Sequence, residues 1–313
     1  VAVSLGGMQS SYYQQQMYVD LGYKMLHLEL GSKERWGEVV DPLLSTGSLT
    51  WSGNSRPIPQ VRLCIPDYSN LGFLGDWISV KGHIAYGWYE DSNWRRESAQ
   101  RYSFPAFYTS NILHHSKAAF IKGGNANMFP LEVIFGLEMC DQFGGTGHNV
   151  TRIDENRQNQ VYENFVFPHG LKAYLQAMLP VNGVGAQDDD NGNTLGSWHL
   201  AFDLKLDRWR FRTYYEHFFE DHSSMFGIEY KNNLEGEKKW GSYGIGQNWA
   251  DGLYGFEATA PEGFPFHRIV LEFLNTKGMC GPVYRYTYPV IKENLDGRDG
   301  MYTNKIYSSY SNW

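Results

Sequence analysis

The sequence predicts an all-β fold: an antiparallel transmembrane β-barrel with long external loops and short periplasmic turns, forming part of a larger barrel. Three observations predict it. First, 16% of the 313 residues are aromatic and only 19% are charged, against about 25% charged in an ordinary soluble domain. Mean hydropathy is nonetheless −0.47, and no apolar run approaches the ~20 residues of a membrane-spanning helix. A chain this rich in rings is also unlike a disordered one. Second, apolar and polar residues alternate with period two in one segment after another. Third, the connections between those segments alternate short and long. Outer-membrane barrels have this property. A large soluble β-protein is the other class the composition allows, but it has no physical reason to sort loop length by end.

The elements follow in order. Strands are expected at about residues 3–9 and 17–25, where Met17, Val19, Leu21, Tyr23 and Met25 alternate with Tyr18, Asp20, Gly22 and Lys24. The phase then flips, with Leu26, Leu28 and Leu30 on the apolar side, which a bulge or turn would cause. Further strands are expected at about 57–65 and 77–90. In the latter, Ile78, Val80, Ile84, Tyr86 and Trp88 share a face opposite Ser79, Lys81, His83, Ala85 and Gly87. The next are 108–122 and 130–141. Trp198 to Tyr215 reads as a hairpin turning near Leu206 and Asp207, with Phe202 and Phe211 on its apolar face and Arg208, Arg210 and Arg212 on its charged face. Strands at 253–259 and 268–274 complete roughly ten. Long connections cover about 33–56, 91–107, 144–196 and 221–252; short ones cover about 10–15, 67–76, 123–129, the turn at Asp207, and 261–266. Residues 144–195 are expected as a long external loop carrying a short helix at about 169–178, with Leu171, Leu175 and Met178 on one face and Ala173 and Ala177 beside them. The whole of 1–313 reads as a single barrel domain, incomplete at both ends. The start at Val1 is expected to follow removal of a signal segment.

Net charge is −7, so no basic face calls for a nucleic-acid partner. Cys64, Cys140 and Cys280 are three widely spaced cysteines, without the spacing of a zinc site or disulfide scaffold. The acidic run 188–192 fails the calcium-loop pattern, which needs glycine sixth and glutamate twelfth. His114 and His115 are adjacent, so on a strand they point to opposite faces and cannot chelate one metal. No cofactor or metal is therefore expected.

Glu132, Glu138, Glu216 and Glu220 are candidate acid/base carboxylates, from which a glycan hydrolase could use a pair such as Glu132 and Glu138. In a barrel they line the lumen instead, with Arg62, His83, Glu138, Arg208, Arg210 and Arg212 as wall residues. Such a lumen could also serve as the filter of a solute channel. Carbohydrate binding fits the loops: sugars lie on aromatic faces flanked by planar polar groups, and the long connections hold Trp36, Trp51, Arg56, Trp94, Arg95, Tyr102, Trp240 and Trp249. Aromatics in these places also pack loops or form an interfacial girdle. No catalytic residue is assigned.

Five segments resemble the Wzi-like capsule-assembly family in its Bacteroides-type branch: Gly31–Gly37 (GSKERWG), Trp51–Gln60 (WSGNSRPIPQ), Leu113–Lys117 (LHHSK), Trp198–Lys205 (WHLAFDLK) and Val270–Tyr284 (VLEFLNTKGMCGPVY). The resemblance covers most of the chain through strand and turn phrases rather than catalytic signatures. It implies a bacterial outer-membrane barrel with a helical periplasmic element, acting without catalysis as a surface lectin that attaches capsular or surface polysaccharide to the cell. The implied partners are that polysaccharide, outer-membrane lipid and lipopolysaccharide, and other outer-membrane proteins. Two departures stand out. Family members are longer and carry an N-terminal helical bundle not evident here, and Tyr302 to Trp313 resembles the middle of a family motif.

Overall fold

In a computed structural model, the chain is described over residues 2–8, 11–51, 55–72, 75–90, 93–102, 107–125, 127–153, 159–178, 193–220, 225, 231–232, 238–239 and 249–276. The fold is mostly antiparallel β-sheet with few helices. The strands are β1 (Ala2–Met8), β2 (Ser11–Tyr23), β3 (Leu26–Ser32), β4 (Gln60–Asn70), β5 (Ile78–Trp88), β6 (Tyr108–Ser110), β7 (Leu113–Gly123) and β8 (Leu131–Phe143). They continue with β9 (Thr146–Ile153), β10 (Asn159–Val166), β11 (Asn193–Leu206), β12 (Trp209–Glu220), β13 (Lys231–Asn232), β14 (Lys238–Lys239), β15 (Gly252–Thr259) and β16 (Arg268–Asn275). Two α-helices join them, α1 (Trp94–Tyr102) and α2 (Leu171–Met178). No helix among the described residues is long and apolar enough to cross a membrane, which says nothing about crossing on strands.

Eleven strands form one sheet in the order β1-β2-β3-β4-β5-β7-β8-β11-β12-β15-β16, a meander in which every neighbour pair is antiparallel. Among the described residues the sheet is open, since β1 pairs only with β2 and β16 only with β15. The four long connections, 33–59, 89–112, 144–192 and 221–251, all leave one end. The turns 24–25, 71–77, 124–130, 207–208 and 260–267 sit at the other. The expected sorting of loops is therefore present, with one correction: the first short connection is residues 9–10, at the long-loop end.

The phase flip after Met25 is a turn rather than a bulge. Lys24 adopts a positive φ of 53° and β2 folds directly back on β3, placing Leu21 opposite Leu28 and Val19 opposite Leu30. Asp207 makes the same excursion, φ 55°, between β11 and β12, the geometry two-residue hairpins require. That turn consumes Arg208, which is exposed in it and is not a wall residue as expected. Residues 144–195 also hold more order than a loop with one helix. Here β9 and β10 form a hairpin that pairs with β6 from the preceding connection. Its polar sequence, with His148, Asn149 and Asn164, hides the alternation that marks the main strands.

Pleating sorts the main strands into two faces. One face carries Met17, Val19, Leu21, Leu63, Ile84, Ile121, Phe135, Phe202, Leu271 and Phe273, all exposed. The other carries Glu29, Arg62, His83, Glu138, His199 and Glu216, buried or half-buried. The polar face is thus the inner one. Helix α2 lies on the apolar outer face with Ala173 and Ala177 buried against Phe143 and Leu113. The larger residues expected to pack, Leu171, Leu175 and Met178, stay exposed. The reason lies beneath the helix, where Lys117 and Asp141 pair at 2.9 Å. Lys117 also donates to the Ala177 carbonyl at the helix end (2.6 Å). Only small residues bring the helix close enough to cover that pair.

Glycines opposite rings tighten the inner face. Gly255 on β15 faces Tyr214 on β12, and a Cβ there would stand 1.9 Å from the ring. The ring is fixed because its hydroxyl donates to Glu272 at 2.6 Å. Gly255→Ala should therefore cost about 1–3 kcal/mol through overpacking, read as a lower midpoint of thermal unfolding. Gly123→Ala, whose Cβ meets nothing within 4 Å, should leave the midpoint in place.

Candidate functional site

The inner face presents carboxylates, and each needs donors. The β3–β4 connection supplies them. Residues 33–51 fold as a strap over the concave face instead of projecting outward as the external loop the sequence suggested. Arg35 pairs with Glu29 on β3 at 2.7 Å, and Glu38 pairs with Lys81 on β5 at 2.7 Å. The Val39 carbonyl accepts from Arg212 on β12 (3.4 Å), and Asp41 pairs with Arg268 on β16. Ser45 and Thr46 donate to Glu272 at 2.5–2.8 Å. The Ser48 hydroxyl and the Leu49 and Thr50 amides converge on Glu216 at 2.6, 2.9 and 3.4 Å. Thr50 bonds Ser197 on β11, and the Trp51 indole donates to Glu138 on β8 at 2.5 Å. Beneath these anchors Val39, Val40 and Leu49 pack with Phe120, Ile134, Ala201, Tyr214 and Leu253.

The strap reaches strands eight spacings apart in the sheet order, about 38 Å in a flat sheet. Val39, Val40 and Leu49 of the strap nonetheless share one buried cluster with Phe120 on β7 and Leu253 on β15, four spacings apart in the sheet order. The sheet curls towards the strap, as sheets of this width generally do.

Between the anchors lies a buried polar cluster. His199 stands directly opposite Glu216, with its Nε2 3.9 Å from Glu138 Oε2. Neither ring nitrogen of His199 has a hydrogen-bond partner among the described residues. His83 bonds Ser116 at 3.2 Å, and Arg62 stands 3.8 Å from Glu29. Arg212 clasps Asp203 through two bonds of 2.6 and 2.7 Å. Arg62, His83, Glu138 and Arg212 thus lie on the inner face of the sheet, and Arg210 lies exposed on it near the short-turn end. Glu132 pairs with Lys122 at 3.5 Å. Six residues along one strand separate it from Glu138 by about 20 Å, beyond the ~5–10 Å of a glycosidase pair. His114 and His115 point to opposite faces: His114 bonds the Tyr89 hydroxyl, and His115 bonds the Ala85 carbonyl beside Tyr86. No cluster of three metal-ligating side chains occurs among the described residues.

At the long-loop end, where the strap leaves β3 and returns to β4, a small cleft with room for about 20 Å³, partly open to solvent, is lined by Lys33, Glu34, Arg35, Trp51, Ser55, Arg56, Pro57, Ile58 and Gln60. Of the sequence-predicted contact residues it unites Trp51 and Arg56. Trp36 is exposed elsewhere on the strap. Trp94, Arg95 and Tyr102 belong to α1, and Trp249 stacks on His217 with ring centroids 5.1 Å apart. None of these lines the pocket. Trp240, Tyr243, the run 188–192, Cys280 and the segment 302–313 lie outside the described residues, as does the Glu220 side chain. Lys33, Arg35 and Gln60 were missed. Their signal was the charged run Lys33-Glu34-Arg35 wedged between an apolar strand and Trp36.

No protein-family model, curated protein or solved structure matches the chain.

Two outcomes follow from the strap. Glu216→Ala removes the acceptor shared by three half-buried donors, costing about 1–3 kcal/mol, and should speed protease cleavage within residues 33–59; Glu216→Gln, which keeps an acceptor, should be milder. Asp41 gives a pH dependence. Burial opposes its charge, but the Leu43 and Leu44 amides and Arg268 prevail and hold its carboxyl below the ordinary 3.8. A lowered native value stabilises the fold fully above the unfolded value, and this is lost as pH falls through the native one. Cleavage of the strap should rise as pH falls below about 4. Glu272, whose carboxyl Ser45, Thr46 and Tyr214 also hold below its ordinary value against burial, shares that step, so Asp41→Asn should shrink it without abolishing it.

Proposed function

We propose that the chain forms the wall of a bacterial outer-membrane β-barrel whose interior is filled by the strap, and that it binds surface polysaccharide at its long-loop end and holds it at the cell surface. The observation that supports this best is the reversed distribution of polarity. An apolar band runs unbroken across strands, from Val19 through Leu30 to Val61 and from Leu21 through Leu28 and Leu63 to Ile84, and most of it is exposed. Charge is buried on the other face. Soluble monomers rarely expose contiguous apolar area above a few hundred Å², whereas a barrel shows such a band to lipid. Open edges are not tolerated in lipid, so β1 and β16 require pairing partners for closure. On this reading Phe135, Phe202 and the apolar side of α2 meet membrane lipid and lipopolysaccharide.

A filled interior favours a binding protein over a solute channel, because residues 33–51 occupy the space a solute would cross. Glu132 and Glu138, one carboxylate pair a hydrolase could use, stand about 20 Å apart along β8, beyond glycosidase range. The likeness of five segments to capsule-assembly proteins points to a polysaccharide anchor, and the Trp and Arg residues at the long-loop end give a surface for it.

The test uses the full chain from outer-membrane fractions. It should need detergent to stay in solution, migrate differently in gels before and after heating, retain purified surface polysaccharide, and show no stepwise conductance in planar bilayers. Recovery as a freely soluble monomer, or failure to retain any polysaccharide, would overturn the proposal.

A further inference from the structure

The small sheet at the long-loop end holds an arrangement that polysaccharide binding does not use. Its three strands, β6, β9 and β10, each give one side chain to a hydrogen-bonded series: Ser110, His148 and Asn164. Ser110 Oγ stands 2.9 Å from His148 Nε2, and His148 Nδ1 stands 2.8 Å from Asn164 Oδ1. The strand register explains why the three meet. Tyr108, His148 and Asn164 lie directly opposite one another across the sheet, and Ser110 lies two residues along from Tyr108, on the same face.

The groups themselves fix the direction of both bonds. An amide oxygen only accepts, so His148 Nδ1 carries the proton and donates to Asn164. In a neutral imidazole the other nitrogen is then bare. Nε2 therefore accepts, and the Ser110 hydroxyl donates to it. A nucleophilic hydroxyl needs this order: a base in contact with its proton, and a third group holding that base in the right tautomer. The imidazole is also held in plane, because Tyr108 stacks on it with ring centroids 4.3 Å apart and 21° between the planes. Ser110 and His148 are half-buried and Asn164 is exposed, so the hydroxyl can be reached from solvent. Thr146 stands directly opposite Ser110, about 5 Å away at Cβ and on the same face. Its hydroxyl is placed to donate to an oxygen that gains charge beside Ser110.

We infer that Ser110, His148 and Asn164 form an ester-cleaving centre for short-chain acyl esters, an activity that depends neither on the barrel nor on polysaccharide retention. Ser110 Oγ attacks the ester carbonyl carbon while its proton passes to His148 Nε2. The bond from that carbon to the alcohol oxygen breaks, and the alcohol leaves with the proton. Water then attacks the acyl-serine, giving a proton to Nε2. The carboxylic acid is released and Ser110 regains its proton. Asn164 is neutral, so it orients the imidazole without countering the charge the ring gains. This restricts the centre to esters, whose alcohols leave more readily than the amines of amides. Asn164 and Val166 are exposed on the same face, which leaves it open to a large alcohol such as a sugar unit.

The experiment uses the full chain in detergent, with p-nitrophenyl acetate as substrate and a fluorophosphonate as covalent label. The protein should hydrolyse the ester, and peptide mass spectrometry should find the label on Ser110, a result that needs no variant to fold. Ser110→Ala and His148→Ala should each lower the rate at least about tenfold, and Thr146→Val at least about fivefold. Asn164→Leu should lower kcat at least about fivefold with KM little changed, while Asn164→Asp, which keeps the acceptor and adds a charge facing the imidazolium, should restore or raise it. Ser69→Ala, on β4 at the short-turn end, should match the parent. Absence of hydrolysis by the parent, a label on any other residue, or full activity in Ser110→Ala or Asn164→Leu would overturn the inference.

Discussion

The structure depends on one constraint: carboxylates that face inward on a curled sheet must find donors. Glu29, Glu138, Glu216 and Glu272 stand on four different strands, and residues 33–51 answer each of them in turn. A buried carboxylate without donors costs several kcal/mol, so strap and sheet are mutually obligatory. The strap has no regular hydrogen-bond ladder of its own, and its shape is fixed by where the wall places its acceptors. The sheet in turn gains a packed interior, with Val39, Val40 and Leu49 filling space that polar wall residues alone would leave open.

The same constraint shapes the candidate site. Because the Trp51 indole is drawn inward by Glu138 and Arg35 by Glu29, the two ends of the strap come together beside β4, and Arg56 is left facing solvent at the mouth. The cleft at the long-loop end is thus a by-product of satisfying the interior. The outer face obeys the complementary rule. Its Lys117–Asp141 pair lies in otherwise apolar surroundings, and α2 covers it with two alanines while turning Leu171 and Leu175 outward. The outward surface stays apolar even where the wall beneath it carries charge.

Much of the wall was legible from alternation. The two faces of β5, the β11–β12 hairpin and its turn at Asp207, the helix near residue 171 and the sorting of loops by end all follow from local pattern, because a strand with one buried face must repeat every second residue. The β9–β10 hairpin was not legible, because polar and apolar residues are mixed on both of its sides and it borrows its third strand from β6. Helix α1 was hidden for a related reason: Trp94 to Tyr102 is strongly polar, with no apolar stripe of helical spacing. The orientation of α2 could not be read either, since alternation within the helix says which residues share a face but not that an ion pair lies beneath it.

The site was legible only in its ingredients. Residue type marked Trp51 and Arg56 as sugar-binding candidates alongside Trp36, Trp94, Arg95, Tyr102 and Trp249, and nothing in the linear order separated them. The sequence by itself determined the period-two strands, the division into an apolar and a polar face, and the placement of four long connections at one end, because these depend on residues a few positions apart. Only the tertiary structure decided that the first long connection turns inward, that Arg208 is spent in a turn, and that Trp51 and Arg56 share a pocket with Lys33 and Arg35. The first and last of those outcomes are set by partners on distant strands: Glu138 lies 87 positions from Trp51 and Glu216 lies 168 from Ser48. No local pattern encodes which strands the curl of a sheet will bring together.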